Sequence, residues 1–132
     1  MWNNIENMIL YADKEIIVCH KAAGIAVQSA RIGIPDMEST LKNYLASKNP
    51  GTMPYLGIVH RLDQPVEGVL VFAKNKRAAA GLTGQITSGS VTKEYLAVTD
   101  QKPENVQGHL EDYLKKDGKT CLLYTSDAAD DL

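Results

Sequence analysis

The residues best suited to chemistry lie in one short stretch, HRLDQPVEGVLVFAKNK, at residues 60–76. Arg61 and Asp63 stand there between two short apolar runs that are typical of buried strands. A loop between two core strands holds polar side chains on a rigid scaffold. Pro65 fixes one backbone angle, and Gly68 permits a tight return into the second strand. Asp63 is therefore a candidate catalytic carboxylate, with a structural ion pair between Arg61 and Asp63 as the alternative.

The elements that must position this stretch follow from hydrophobic periodicity. Strands are predicted in MILYADKEIIVCHKAAG, on both sides of a turn at Asp13 and Lys14, and in LGIVH and GVLVFAK. Helices are predicted in PDMESTLKNYLASKNPG, with Asp36 as N-cap, and in NKRAAAGLTGQITSG. KEYLAVT alternates as a strand does, and GHLEDYLKKDGKT favours a strand over a short helix. Without a regular βαβ repeat, this order predicts an α+β fold with a mixed, largely antiparallel sheet and flanking helices.

Composition excludes several classes of protein. The 132 residues suffice for one domain, and no apolar run approaches the roughly 20 residues of a membrane span. Cys19 and Cys121 are isolated, which predicts reduced thiols and a cytoplasmic protein. The three histidines have no ligand spacing, so no metal is expected. The net charge of −2 neither demands nor forbids a local basic surface for nucleic acid.

Several motifs together resemble the RluA-type family of RNA pseudouridine synthases. HRLDQPVEGVLVFAKN is similar to the family's signature, a His-Arg-Leu-Asp corner followed by a loop and an apolar strand ending in Ala-Lys. ILYADKEIIVCHKAAGIAVQ is similar to its opening strands and turn, with Ala22 where the family has proline. NKRAAAGLTGQITSGSVTKEYLAV is similar to its helix and its Lys-x-Tyr-x-Ala strand. The resemblance covers roughly residues 8 to 114.

The resemblance implies an enzyme that isomerises uridine to pseudouridine in structured RNA, ribosomal or transfer, without metal or organic cofactor. Asp63 corresponds to the family's catalytic aspartate. Whether such an aspartate attacks the base, attacks the sugar or removes a sugar proton stays open. Tyr95 corresponds to the active-site tyrosine, which would stack on the flipped uracil and serve a proton transfer at C5. His60 and Arg61 are expected to bind substrate, by filling the space of the flipped base or by contacting phosphate.

The end of the chain departs from the family. Residues 1–120 are predicted to be part of a pseudouridine synthase catalytic domain. Residues 121–132, CLLYTSDAADDL, do not resemble the family and are predicted to be a foreign, disordered tail. A second hypothesis follows from this prediction: the chain is a truncated, inactive remnant that at most binds RNA weakly.

Overall fold

The computed structural model describes residues 4–116 and 123–126, and the chain divides into two units, Met1–Lys93 and Glu94–Leu132. The described part of the second unit contains one antiparallel pair of strands, Tyr113–Lys116 with Leu123–Ser126. The regular elements are a 3-10 turn at Ile5–Met8, β1 (Ile9–Ala12), β2 (Ile16–Lys21), α1 (Met37–Lys48), β3 (Gly57–Ile58), β4 (Gly68–Ala73), α2 (Lys76–Thr87), β5 (Tyr113–Lys116) and β6 (Leu123–Ser126). This combination confirms the predicted α+β class.

The first unit is built on a four-stranded sheet with the order β1-β2-β4-β3. Every described strand pair is antiparallel. β4 pairs with β2 along its whole length and with β3 at Gly57 and Ile58, so it joins β3 to the rest of the sheet. The chain between β3 and β4 carries the HRLD stretch, so the ends of two core strands fix its position.

Alternation along the strands and periodicity along α1 produce the core. Every second residue of β2 is buried, which is the pattern of a strand with one covered face. α1 begins where predicted, because the Asp36 side chain accepts the backbone N–H of Ser39 and completes a capping box. Met37 and Leu41 of α1 are fully buried. The core cluster consists of Ile17, Cys19, Val27, Met37, Leu41, Leu56, Leu70 and Phe72.

The strand predicted in KEYLAVT is wrong. Residues 92–99 belong to no helix or strand, and Leu96 and Val98 are fully exposed. Alternation makes a strand only where a second strand supplies the hydrogen bonds of the ladder, and no described strand pairs with this segment. The adjoining prediction is confirmed in part, because β5 occupies the middle of GHLEDYLKKDGKT and residues 117–120 lie outside the described residues.

Four residues of the predicted tail, Leu123–Ser126, form β6 and pair with β5. Residues 121–122 and 127–132 lie outside the described residues, so the foreign origin of the tail and the disorder of these eight residues stay predictions. Within residues 4–116 and 123–126, no helix combines the length and apolar character needed to cross a membrane.

Candidate active site

The candidate site is the Asp63 corner, residues 60–67, which connects β3 to β4. The backbone N–H of Val66 donates to the carbonyl of Asp63 at 2.9 Å and closes a turn with Gln64 and Pro65 in its middle. Asp63 is exposed to solvent. The carboxylate therefore stands at the surface on a tight turn, accessible to a large substrate.

Leu62 immediately precedes Asp63. Its side chain is partly buried and packs against the core cluster, which anchors this part of the corner. A Cβ atom at Gly68 would lie 3.0 Å from the Cδ1 atom of Leu62, closer than two such carbons normally approach. Gly68 thus serves the corner mainly by leaving space for Leu62. The corner alternates between an inward Leu62 and outward-facing polar neighbours, Arg61 and Asp63.

A buried lysine ties the corner to the turn that follows β2. Lys21 is 0% exposed, and its Nζ donates to the carbonyls of Ala22 at 3.2 Å, Ile25 at 2.6 Å and Gln64 at 3.0 Å. Burial lowers the pKa of Lys21, and the nearby Asp63 carboxylate acts in the opposite direction. A cation held by three carbonyls therefore lies within electrostatic range of the candidate catalyst.

Gln64 adds two hydrogen bonds between the corner and the turn that follows β2. Its carbonyl accepts the N–H of Gly24 at 2.8 Å, and its side-chain amide donates to the carbonyl of Gly24 at 3.0 Å. Gly24 has a φ of +90°, which favours glycine because a Cβ atom would be strained there. The turn after β2 and the Asp63 corner are consequently held together by backbone, amide and ammonium hydrogen bonds.

Arg61 does not form the ion pair with Asp63 that was the structural alternative. Its Nη2 donates instead to the side-chain oxygen of Gln28, whose amide nitrogen donates to Glu38 at 2.8 Å. The ion pairs of the described residues do not include Asp63. The carboxylate is thus left open to a substrate, and Arg61 lies exposed beside it.

His60 is half-buried and faces β4. Its Nε2 accepts the backbone N–H of Val71 at 3.0 Å. Burial lowers the pKa of His60, and the positive charge of Lys93 lowers it further. His60 is therefore engaged with the sheet, and its predicted contact with substrate stays a prediction.

The structure brings three of the four predicted site residues, His60, Arg61 and Asp63, into one corner. Tyr95 belongs to the second unit, where its side chain is 66% exposed in a segment without helix or strand. Its catalytic role stays a prediction.

Lys21 and Gln64 were missed as functional candidates by sequence reasoning. A signal for Lys21 was present, because it follows Ile17 and Cys19 at every second position on the buried face of β2. A lysine at an inward position needs hydrogen-bond acceptors, which marks it as a structural or functional group. No pattern in the sequence around Gln64 indicated a similar role for that residue.

Further groups surround the corner. Glu67 forms an exposed ion pair with His20 of β2, with 2.7 Å between the carboxylate oxygen and Nε2.

A cavity of about 380 Å³ lies beside the corner and is lined by residues that include Gly24, Gln28, Arg31 and Gln64. Among the described residues, no group of three or more His, Cys, Asp or Glu side chains could hold a metal ion.

Comparison with known proteins identifies the family. The sequence profile of RNA pseudouridylate synthase matches residues 15–131, which include the whole corner. The chain belongs to the RNA pseudouridylate synthase family. Ribosomal large subunit pseudouridine synthase D of Xylella fastidiosa is 40% identical over 92 residues, and an uncharacterized RNA pseudouridine synthase of Zymomonas mobilis is 36% identical over 100 residues.

The similarity covers a large part of this chain and a smaller part of its relatives. These alignments span 68% and 76% of the chain but 27% and 44% of the two synthases. A solved structure, human RNA Pseudouridylate Synthase Domain Containing 4, shares the fold with a TM-score of 0.56 and 23% identity, over 65% of this chain and 31% of that one. The chain thus spans less than half the length of these pseudouridylate synthases.

Replacing Lys21 with methionine should lower the free energy of unfolding by about 1–3 kcal/mol, because three carbonyls lose their ammonium donor. Lys14→Met is the matched control, since Lys14 is exposed in the turn between β1 and β2 and its replacement should change stability by less than about 0.5 kcal/mol. Urea unfolding of both variants measures the difference. Equal stabilities would contradict a structural role for the Lys21 hydrogen bonds.

Proposed function

We propose that this chain carries the catalytic corner of an RNA pseudouridine synthase, with Asp63 as the catalytic carboxylate. The observation that carries the proposal is the placement of Asp63, which is exposed, forms no ion pair with another described residue and lies on a turn held by buried Lys21 and by the packing of Leu62. Holding a reactive group on supports that are themselves locked by packing and hydrogen bonds is the requirement for precise catalysis.

The chemistry is an isomerisation that needs no oxidant or reductant. The bond between N1 of uracil and C1′ of ribose breaks, the base turns, and a bond forms between C5 and C1′. The hydrogen on C5 leaves to solvent, and N1 gains a proton, so atoms and electrons balance. Asp63 would act at the reacting nucleoside as nucleophile or base.

The exposed position of Asp63 fits a macromolecular substrate whose target nucleotide is flipped out of its stack. Arg61 lies exposed at the corner, and Arg31 lines the adjacent cavity. Guanidinium groups bind phosphate through paired hydrogen bonds, so these two arginines are suited to hold the RNA backbone beside the target uridine. We assign substrate contact to Arg61 on this basis.

The proposed substrate is ribosomal RNA of the large subunit. The support comes from the Xylella fastidiosa relative, whose name specifies the ribosomal large subunit. Transfer RNA is the other substrate implied by the sequence, and the same assay distinguishes the two when each RNA is supplied separately. The cytoplasm is the compartment that this proposed substrate and the buried free thiol of Cys19 favour.

Asp63→Asn should reduce pseudouridine formation by at least about a hundredfold, because the amide keeps the volume but cannot act as nucleophile or base. The measurement is release of tritium from C5-labelled uridine in RNA by the natural protein that carries this sequence. Glu67→Gln is the matched control, since Glu67 is an exposed carboxylate of the same corner, and it should retain activity. An Asp63→Asn variant within about tenfold of the unmodified protein would refute the assignment.

Tyr95→Phe tests the second proposed catalytic residue. The ring is kept and the hydroxyl is lost, so the turnover number should fall about tenfold or more while RNA affinity changes little. Tyr113→Phe, another exposed tyrosine of the second unit, is the control and should change neither quantity. Equal losses of affinity and turnover in Tyr95→Phe would mean that the hydroxyl has no separate role in the chemical step.

A further inference from the structure

The point at which β3 ends is determined by a side chain. β3 pairs with β4 at Gly57↔Ala73 and Ile58↔Phe72, and the same register would place Val59 opposite Val71. In a continued antiparallel ladder, the N–H of Val71 would donate to a backbone carbonyl of β3. It donates instead to Nε2 of His60 at 3.0 Å. The imidazole nitrogen thus replaces the next carbonyl of the ladder.

This replacement releases the backbone from the sheet without leaving a buried N–H group unpaired. The chain can then turn away after Ile58, pack Leu62 against the core and expose Asp63. A ladder that continued by one more pair would redirect the residues leading to Asp63. The hydrogen bond of His60 therefore sets the geometry of the corner from its first residue.

We propose that His60 is a positioning residue, whose neutral imidazole ends β3 and holds the Asp63 corner in place and makes no contact with RNA. The proposal rests on the proposed catalytic role of Asp63. An Nε2 atom that accepts a backbone N–H must carry a lone pair, so the ring proton resides on Nδ1. A protonated imidazolium has no acceptor and would lose the bond to Val71.

The surroundings of His60 favour the neutral ring. Burial and the positive charge of Lys93 both lower its pKa from the ordinary value of 6.5. Among the described residues, Lys93 is the charged group whose field acts on the ring. The hydrogen bond is therefore complete above pH 6.5 and is lost as the pH falls through the lowered pKa.

The first test needs no catalytic activity. In the ¹⁵N-labelled chain, we expect a scalar coupling across the hydrogen bond between the Val71 nitrogen and His60 Nε2. Leucine at position 60 removes the acceptor, so His60→Leu should accelerate amide hydrogen exchange at Val71 and Val66 by about tenfold or more. His60→Gln supplies an uncharged acceptor and should restore slow exchange. His20→Gln, a histidine of the same sheet, should leave both rates unchanged.

The second test uses turnover by the natural protein that carries this sequence. His60→Leu should lower the turnover number with little change in RNA affinity. In the unmodified protein, turnover should fall at acid pH as His60 is protonated. His60→Gln should keep the turnover number and should not show this fall. Unchanged exchange rates in His60→Leu would overturn the proposal, as would a His60→Gln variant that binds RNA about tenfold more weakly. An active Asp63→Asn variant would overturn the proposed function alone, because the exchange rates still decide whether His60 holds the corner.

Discussion

The candidate site depends on the hydrogen bonds that the buried ammonium of Lys21 donates. It joins the carbonyls of Ala22 and Ile25, just after β2, to the carbonyl of Gln64, which is 43 residues away in the chain. A buried cation is tolerated only when its donors are satisfied, so these three carbonyls must stay converged. The same convergence fixes the turn that carries Asp63. Stability and the proposed function therefore place the same requirement on this part of the fold.

The residues of the corner that pack inward differ from those that we propose to contact substrate. Lys21, Leu62 and the ring of His60 are directed into the protein, where the core, carbonyl groups and a ladder N–H engage them. Asp63 and Arg61 are directed outward and are exposed. This arrangement gives the proposed catalytic carboxylate little backbone freedom while leaving it open to a large substrate.

Local patterns were sufficient to predict most elements. Short apolar runs beside turn residues predicted β2 and β4, and the Asp36 cap with the apolar periodicity that follows it predicted α1. The corner was also predictable, because an aspartate between two short apolar runs must lie in a loop at the end of core strands. These features depend on residues close together in the chain, which is why sequence alone could specify them.

The remaining features depend on distant contacts. Whether KEYLAVT forms a strand depends on a pairing partner, which no local pattern reveals. The bonds of Lys21 to Gln64 and of His60 to Val71 follow from the register of β4 against β2 and β3. Arg61 could equally have paired with Asp63 on sequence grounds, and only the position of Gln28 explains why it does not.

The proposed role of Asp63 is best tested by a crystal structure of the natural protein that carries this sequence, bound to RNA containing 5-fluorouridine at the target position. Fluorine at C5 cannot leave as the hydrogen does, so the reaction should stall with the nucleoside in the site. We expect the flipped nucleoside in contact with the Asp63 carboxylate, with the hydrogen bonds of Lys21 to Gln64 and of His60 to Val71 intact. A nucleoside bound away from the Asp63 corner would contradict the catalytic role of Asp63.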